Sequence, residues 1–336
     1  MNAHFPSSQW ETVSPADAGF HTEKLQKAQV WLDAQGDDYR VAIVRNGYLV
    51  TEWNRNVDRA VEGRMASAAK SVYSCALARA IEDGKIASAD ARVVDYYPAM
   101  MDIPDSTGPK PGRYAFPKDR AITFRQLISN TSGYMKPNEP PGQVFHYQTY
   151  GMNILCHAIA HTYGLWDPNN PEGSPGLAPL FDRWFREPLS ATWGYYTNNF
   201  DLQPGARLGI FGYSSGIQAT ALDMARLGWL WRHGGHWGDQ QLVPEAWVRE
   251  ATRVNDVPAY VADVRWRKAY GLGFWSNEYG SLWPSLPRDA FAASGAGRQH
   301  IWVCPSLDLV VVQSPGIYGQ QDELEQTVLG LVVESL

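Results

Sequence analysis

Three features of this chain predict an α+β fold. Strand-like patterns lie near both ends of its 336 residues, the long stretch between them reads as helical, and 44% of the residues are hydrophobic. That composition supports a large core, as one intertwined unit or two subdomains. Strands at both ends with helices between them imply one sheet assembled from both termini, with the helical region inserted. The expected division is residues 1–66 with 260–336 for a discontinuous sheet part, and 67–259 for a mostly helical lobe.

The elements follow in order. His21 to Gln35 has the apolar spacing of an amphipathic helix. Arg40 to Trp53 alternates around Asn46-Gly47, the dipeptide favoured in two-residue hairpin turns. From Ser67 to about Trp247 the pattern is helical, broken by three loops rich in Pro and Gly: Pro104 to Pro117, Pro137 to Gly142, and Pro168 to Pro179. Loops of this kind often form functional rims. Strand patterns return at Ala269 to Trp275, Ala290 to Val303 and Leu307 to Gln313, and a helix from about Gln320 to Ser335 closes the chain.

Within the helical stretch, Ser67-Ala-Ala-Lys70 carries the chemistry. The run from Ser67 to Asp83 is rich in Ala and other small residues, lacks Pro and Gly, and ends at Gly84, which predicts a buried helix opened by Ser67. Residues three apart share a helix face, so the Lys70 ammonium stands beside the Ser67 hydroxyl. The serine then sits where free N–H groups favour a developing negative charge. The plainer alternative is an N-cap serine followed by a solvated lysine. A charge placed in a small, apolar helix weighs against it.

Further along, Pro141-Gly-Gln-Val-Phe-His-Tyr147-Gln-Thr149 delivers a tyrosine from a turn into a helical apolar run. With these segments the chain resembles the serine β-lactamase-like hydrolases: class C β-lactamases, DD-peptidases, family VIII esterases and 6-aminohexanoate-dimer hydrolases. Ser-x-x-Lys is the nucleophile motif of β-lactamases and penicillin-binding proteins. Tyr147 matches the tyrosine of the family's Tyr-x-Asn element, with Thr149 at the Asn position. Trp10 to Gly19 is similar to the opening segment, and Leu127 to Gly133 to the His-Thr-Ser-Gly segment, with Asn130 for the His. Ala219 to Gly228, Gly234-Gly235 and Leu242 to Trp247 are similar to the helical segment after the second motif. Ser294-Gly-Ala-Gly-Arg298-Gln falls where class C enzymes carry Lys-Thr-Gly, and neither Lys nor His precedes His300 there.

The resemblance implies a β-lactamase/transpeptidase-like fold: an antiparallel sheet flanked by helices beside an all-helical lobe, with the active site in the cleft between them. It implies Ser67 as nucleophile, Lys70 and Tyr147 as general base and acid, and backbone N–H groups of Ser67 and Ala296 as an oxyanion hole. Gly295, Ser294, Thr149 and Arg298 are the accompanying substrate-binding candidates. The expected activity is hydrolysis of a small ester or amide through an acyl-enzyme, with no cofactor or metal. Carboxylesterase or small-amide hydrolase ranks above true β-lactamase, because the Lys-Thr-Gly lysine is missing.

Two other readings stay open. Gly212-Tyr-Ser214-Ser-Gly216 matches the nucleophile elbow of α/β-hydrolases. A catalytically silent relative serving as a binding protein is the other. His157 and His161 have zinc-pair spacing without the glutamate or a third ligand, and read as helix-face histidines. Fourteen Trp residues, with Tyr150 and Tyr213, offer material for an apolar acyl pocket. Net charge is −6 and no Lys/Arg cluster occurs, which disfavours nucleic acid or an anionic membrane as partner. No apolar run approaches a membrane span. The first residues lack the pattern of a signal peptide, and Cys75, Cys156 and Cys304 lie in apolar stretches. Together these suggest a cytoplasmic, reducing setting. Oligomeric state is not readable.

Overall fold

The Asn46-Gly47 hairpin forms as expected. Asn46 and Gly47 have φ of 54° and 87°, the left-handed pair that a type I′ turn requires. They join β1 (Tyr39–Arg45) to β2 (Tyr48–Arg55). The computed structural model describes residues 4–108, 111–199, 212–261, 266–315 and 322–336. The remaining strands are β3 (Gly63–Arg64), β4 (Val144–Phe145), β5 (Gly194–Asn199), β6 (Gly212–Ala219), β7 (His236–Trp237), β8 (Gln240–Gln241), β9 (Ala259–Tyr260), β10 (Trp275–Ser276), β11 (Phe291–Gly295), β12 (Gln299–Cys304) and β13 (Leu309–Gln313). The helices are α1 (Thr22–Ala34), α2 (Ala69–Glu82), α3 (Phe124–Ile128), α4 (Tyr150–Thr162), α5 (Ala178–Phe181), α6 (Ala221–Arg232), α7 (Glu245–Ala251) and α8 (Asp322–Val333).

The main sheet runs β10-β11-β12-β13-β1-β2, and every neighbouring pair is antiparallel. The first and last parts of the chain meet where β1 pairs β13, Val41 opposite Gln313. Alternation sorts the strand residues onto two faces. Val41, Ile43, Ala292, Trp302 and Val311 join a core with residues of α1 and α8. Ala42, Val44, Ala293, Ile301 and Val312 join the larger core with α2, α4 and α6. Helix α6 crosses the sheet closely because Gly228 has no side chain. A Cβ there would stand 2.6 Å from Val310 Cγ1 and 2.8 Å from Ile301 Cγ2.

The structure corrects three sequence expectations. Ser67 to Trp247 is not helical throughout, since β5 and β6 pair within it and join β3, just before Ser67, in a second sheet. Ser214 therefore lies inside a strand, not at the strand-to-helix turn a nucleophile elbow needs. Leu208 to Phe211, the only segment that could supply the buried strand an elbow needs before its serine, lies outside the described residues. The third correction concerns Ala269 to Trp275, which is a folded-back loop ending in the two-residue β10. Gly273 has φ +86°, and a Cβ on Gly271 would come within 2.2 Å of the Ala251 and Arg253 carbonyl oxygens. This backbone packs too closely against its neighbours for a regular strand.

His157 stacks on Trp166 with ring centroids 3.8 Å apart, and His161 Nδ1 lies 2.9 Å from the Trp166 carbonyl oxygen. Both histidines are thus engaged in packing. Among the described residues, no helix is long and apolar enough to cross a membrane. Cys75, Cys156 and Cys304 are buried and unpaired. Burial pushes the Cys75 thiol up to about 12, so it is inert rather than reactive at neutral pH.

Candidate active site

Helix α2 is positioned from three sides by its small polar residues. Ser71 Oγ donates to the Gly273 carbonyl at 2.7 Å. Ser74 Oγ accepts from Trp247 Nε1 at 3.1 Å. Tyr73 Oη donates to the Ser215 carbonyl in β6 at 3.1 Å. Each buried polar group thus has a partner, as a packed interior requires.

The helix begins later than expected. Ala66–Ala68 form a 3-10 turn, so Ser67 lies within that turn and α2 proper starts at Ala69. Ala66 has φ +50°, a left-handed conformation costing an alanine roughly 1 kcal/mol. Strain of this kind clusters at functional positions. The Met65 N–H donates to Ile217 O at 2.8 Å, which fixes the entry to the turn.

Lys70 is 3% exposed, and its Nζ donates to Ser67 Oγ at 2.6 Å. The same ammonium lies 5.0 Å from the centre of the Tyr147 ring. The structure thus brings Ser67, Lys70 and Tyr147 together, with Ser67 and Tyr147 half-buried and reachable from solvent. An ammonium costs several kcal/mol to bury alone. Here the hydroxyl and the aromatic face compensate it.

Tyr147 is held by a feature the sequence reading passed over. Asn130 stands at φ +57°, where Asn is better tolerated than most residues. Its backbone carbonyl accepts from the His146 N–H at 2.9 Å, and its Oδ1 accepts from the Gln148 N–H at 2.9 Å. One residue therefore clamps the backbone on both sides of Tyr147. The only sequence signal was Asn130 standing where the resembled family carries His.

Around the phenol ring, Trp275 stacks at 5.5 Å, Tyr270 meets it edge-on at 5.7 Å, and Trp266 packs at 5.9 Å. Tyr270 is buried, and burial together with the neighbouring Tyr147 holds its hydroxyl well above its ordinary pKa, although a hydrogen bond with Asn130 works against this. It is a neutral phenol beside the site.

The third segment approaches from β11. A Cβ on Gly295 would stand 2.2 Å from Met65 O, 2.8 Å from Ala68 N and 3.0 Å from Ser67 N. Only glycine lets the strand abut the turn that carries Ser67. Ala296 is exposed in the turn that follows. Ser294 pairs across the sheet with His300 and lines a neighbouring cavity. Arg298, at φ +56°, has its Nη1 3.8 Å from Glu325 Oε2 on α8. Thr149 caps α4, with its carbonyl accepting from Asn153 N at 3.1 Å. Tyr150 is half-buried at the start of that helix, while the side chains of Tyr213 and Ser214 lie outside the described residues.

The fold has counterparts among solved structures. A penicillin-binding protein homolog from Caulobacter crescentus superposes with a TM-score of 0.69 at 16% identity, covering 94% of this chain and 98% of that one. A family VIII carboxylesterase gives 0.64 at 15%, covering 94% and 97%. A putative 6-aminohexanoate-dimer hydrolase from Bacillus anthracis gives 0.62 at 18%, covering 91% and 80%. At these identities the likeness shows the fold, which is β-lactamase/transpeptidase-like. No curated protein sequence matches at a significant level. The sequence model of the beta-lactamase family matches residues 30–313, and with that span matched, this chain belongs to the beta-lactamase family.

Proposed function

We propose that this protein is a serine hydrolase that cleaves a small ester or amide through an acyl-enzyme on Ser67. One observation carries the proposal: Lys70 Nζ lies 2.6 Å from Ser67 Oγ while also facing the Tyr147 ring at 5.0 Å. Ser67 Oγ attacks the substrate carbonyl carbon, and its proton passes to the Lys70/Tyr147 pair, which acts when it holds one proton fewer than the ammonium–phenol form. The N–H groups of Ser67 and Ala296 stabilise the oxyanion, a role supported by the close seat of Gly295 on the Ser67 turn. Tyr147 protonates the leaving alcohol or amine as the tetrahedral intermediate collapses. Water, activated by the same pair, then releases the acid and restores the Ser67 hydroxyl.

A carboxylesterase or small-amide hydrolase ranks above a β-lactamase. The strand holds Ser294-Gly295-Ala296 where a Lys-Thr-Gly enzyme keeps its lysine. Ser67→Ala should abolish hydrolysis of p-nitrophenyl esters, and Ser214→Ala should leave most of it. Loss confined to Ser214→Ala would overturn the assignment, and a wild type inert toward all esters and amides would favour a silent binding protein.

A further inference from the structure

Beside Tyr147 lies a cavity of about 130 Å³ that the proposed chemistry does not use. Its walls include Trp266, Trp275, Trp283, Ser294, His300 and Glu325. It shares two walls with the reaction centre. Trp275 stacks on Tyr147, and Ser294 immediately precedes the Gly295 that abuts Ser67. The cavity is comparable to the engineered one of about 150 Å³ that holds benzene, so it accepts a short chain and its terminal group.

The walls are built rather than incidental. Asn277 is fully buried and fixes the Trp283 loop. Its Nδ2 donates to the carbonyls of Trp283 (2.9 Å), Leu286 (3.2 Å) and Pro287 (3.0 Å), and its Oδ1 accepts from the Trp283 N–H at 3.0 Å. His300 is 3% exposed, with Nε2 2.9 Å from Glu325 Oε1. Neither ring nitrogen makes a well-formed hydrogen bond with a described residue, and the Nε2 contact with Glu325 is an ion-pair approach.

The acceptors among the polar side chains on these walls are the Ser281 and Ser294 hydroxyls and the Glu325 carboxylate. Three indole rings add π-faces that favour a cation. Among the described residues lining the cavity, none is a lysine or arginine. Arg298 stands behind Glu325, with 3.8 Å between Nη1 and Oε2. Burial disfavours the Glu325 charge, yet His300 and then Arg298 hold its carboxyl below the ordinary range, so it is ionised.

We propose that this cavity is a subsite for a primary alkylammonium group on the leaving-group side of the substrate. It rests on the serine-hydrolase reading, because the cavity wall Trp275 stacks on Tyr147, the proposed donor to the leaving group. The substrate class becomes an ester or amide whose alcohol or amine part carries a short aminoalkyl chain.

Binding and turnover test it separately. Ser67→Ala protein is titrated with 4-amino-1-butanol and with its neutral isostere 1-pentanol, followed by tryptophan fluorescence and calorimetry. The amine should bind about tenfold tighter, the scale of one desolvated cation–π contact. Glu325→Gln should remove most of that preference. Ser281→Phe, which fills the cavity from a half-buried wall position, should weaken both ligands and guards against misfolding of the glutamate variant. On wild type, 4-aminobutyl acetate should exceed pentyl acetate in kcat/KM by a similar factor. Equal binding of amine and alcohol, no binding of either, or tighter binding of 5-hydroxypentanoate would overturn the proposal. So would amine binding with no preference between the two esters. If the amine binds selectively and neither ester turns over, the ammonium site stands and the serine-hydrolase reading fails.

Discussion

Lys70 is the residue on which the proposed chemistry turns. A buried ammonium at a helix position otherwise filled by small residues is tolerated only with compensation, and its two partners are Ser67 Oγ and the Tyr147 ring. The proton taken from Ser67 then has one shared destination rather than two independent ones. Lys70→Ala and Tyr147→Phe should each lower kcat on the order of 10²–10⁴, the usual worth of general acid–base help. The double variant should lose much less than the product of the single effects. Strict multiplicativity in a double-variant cycle would show that the two act separately. At this scale the sequence was informative where spacing along one helix decides the geometry, as for Ser67 and Lys70. It marked Asn130 only as a departure from the resembled family and not its role, which lies in two contacts to the backbone of a loop 16 to 18 residues away. Such contacts leave no periodic trace.

Among the elements, β11 is the one that, on the proposed function, sets which substrates suit the cleft. Its end must be glycine to lie against the Ser67 turn, and the side chains beside that glycine set the charge offered to a ligand. Ser294 presents a hydroxyl, and Arg298 is engaged with Glu325 of α8. An exposed charge contact from Arg298 would contribute only about 1 kcal/mol. Short acyl esters or amides should therefore outperform cephalosporins in kcat/KM by more than about tenfold. Efficient cephalosporin turnover that falls sharply in Arg298→Ala would reverse this ranking and make Arg298 the carboxylate anchor. The hairpin and the β11–β13 strands were legible because alternation and an Asn-Gly turn are local signals. The sheet of β3, β6 and β5 was not, because β3 is only two residues long and the Gly and Ser of β6 read as a loop. Ala269 to Trp275 misled for the opposite reason: its apolar alternation serves close backbone packing at Gly271 and Gly273.

Across the whole molecule, a sheet built from both ends of the chain makes stability depend on contacts between remote segments. His233, at the end of α6, packs against Phe5 and Trp229. Burial, then Arg232, push its imidazole down to about 4, with Asp308 opposing. In the unfolded chain a histidine titrates near about 6.5. Between these values the unfolded state binds more protons, so stability falls as pH drops through that window. Tm measured from pH 7 to pH 4 should decline less steeply in His233→Phe than in wild type, and parallel curves would remove His233 from the acid response.

The central claim is that one serine among many is activated. A fluorophosphonate probe reacts with such a serine irrespective of the natural substrate, and peptide mapping identifies it. The account predicts a single modified peptide containing Ser67, with labelling lost in Ser67→Ala and strongly slowed in Lys70→Ala. Modification at Ser214, or no labelling of the folded wild type, would contradict it.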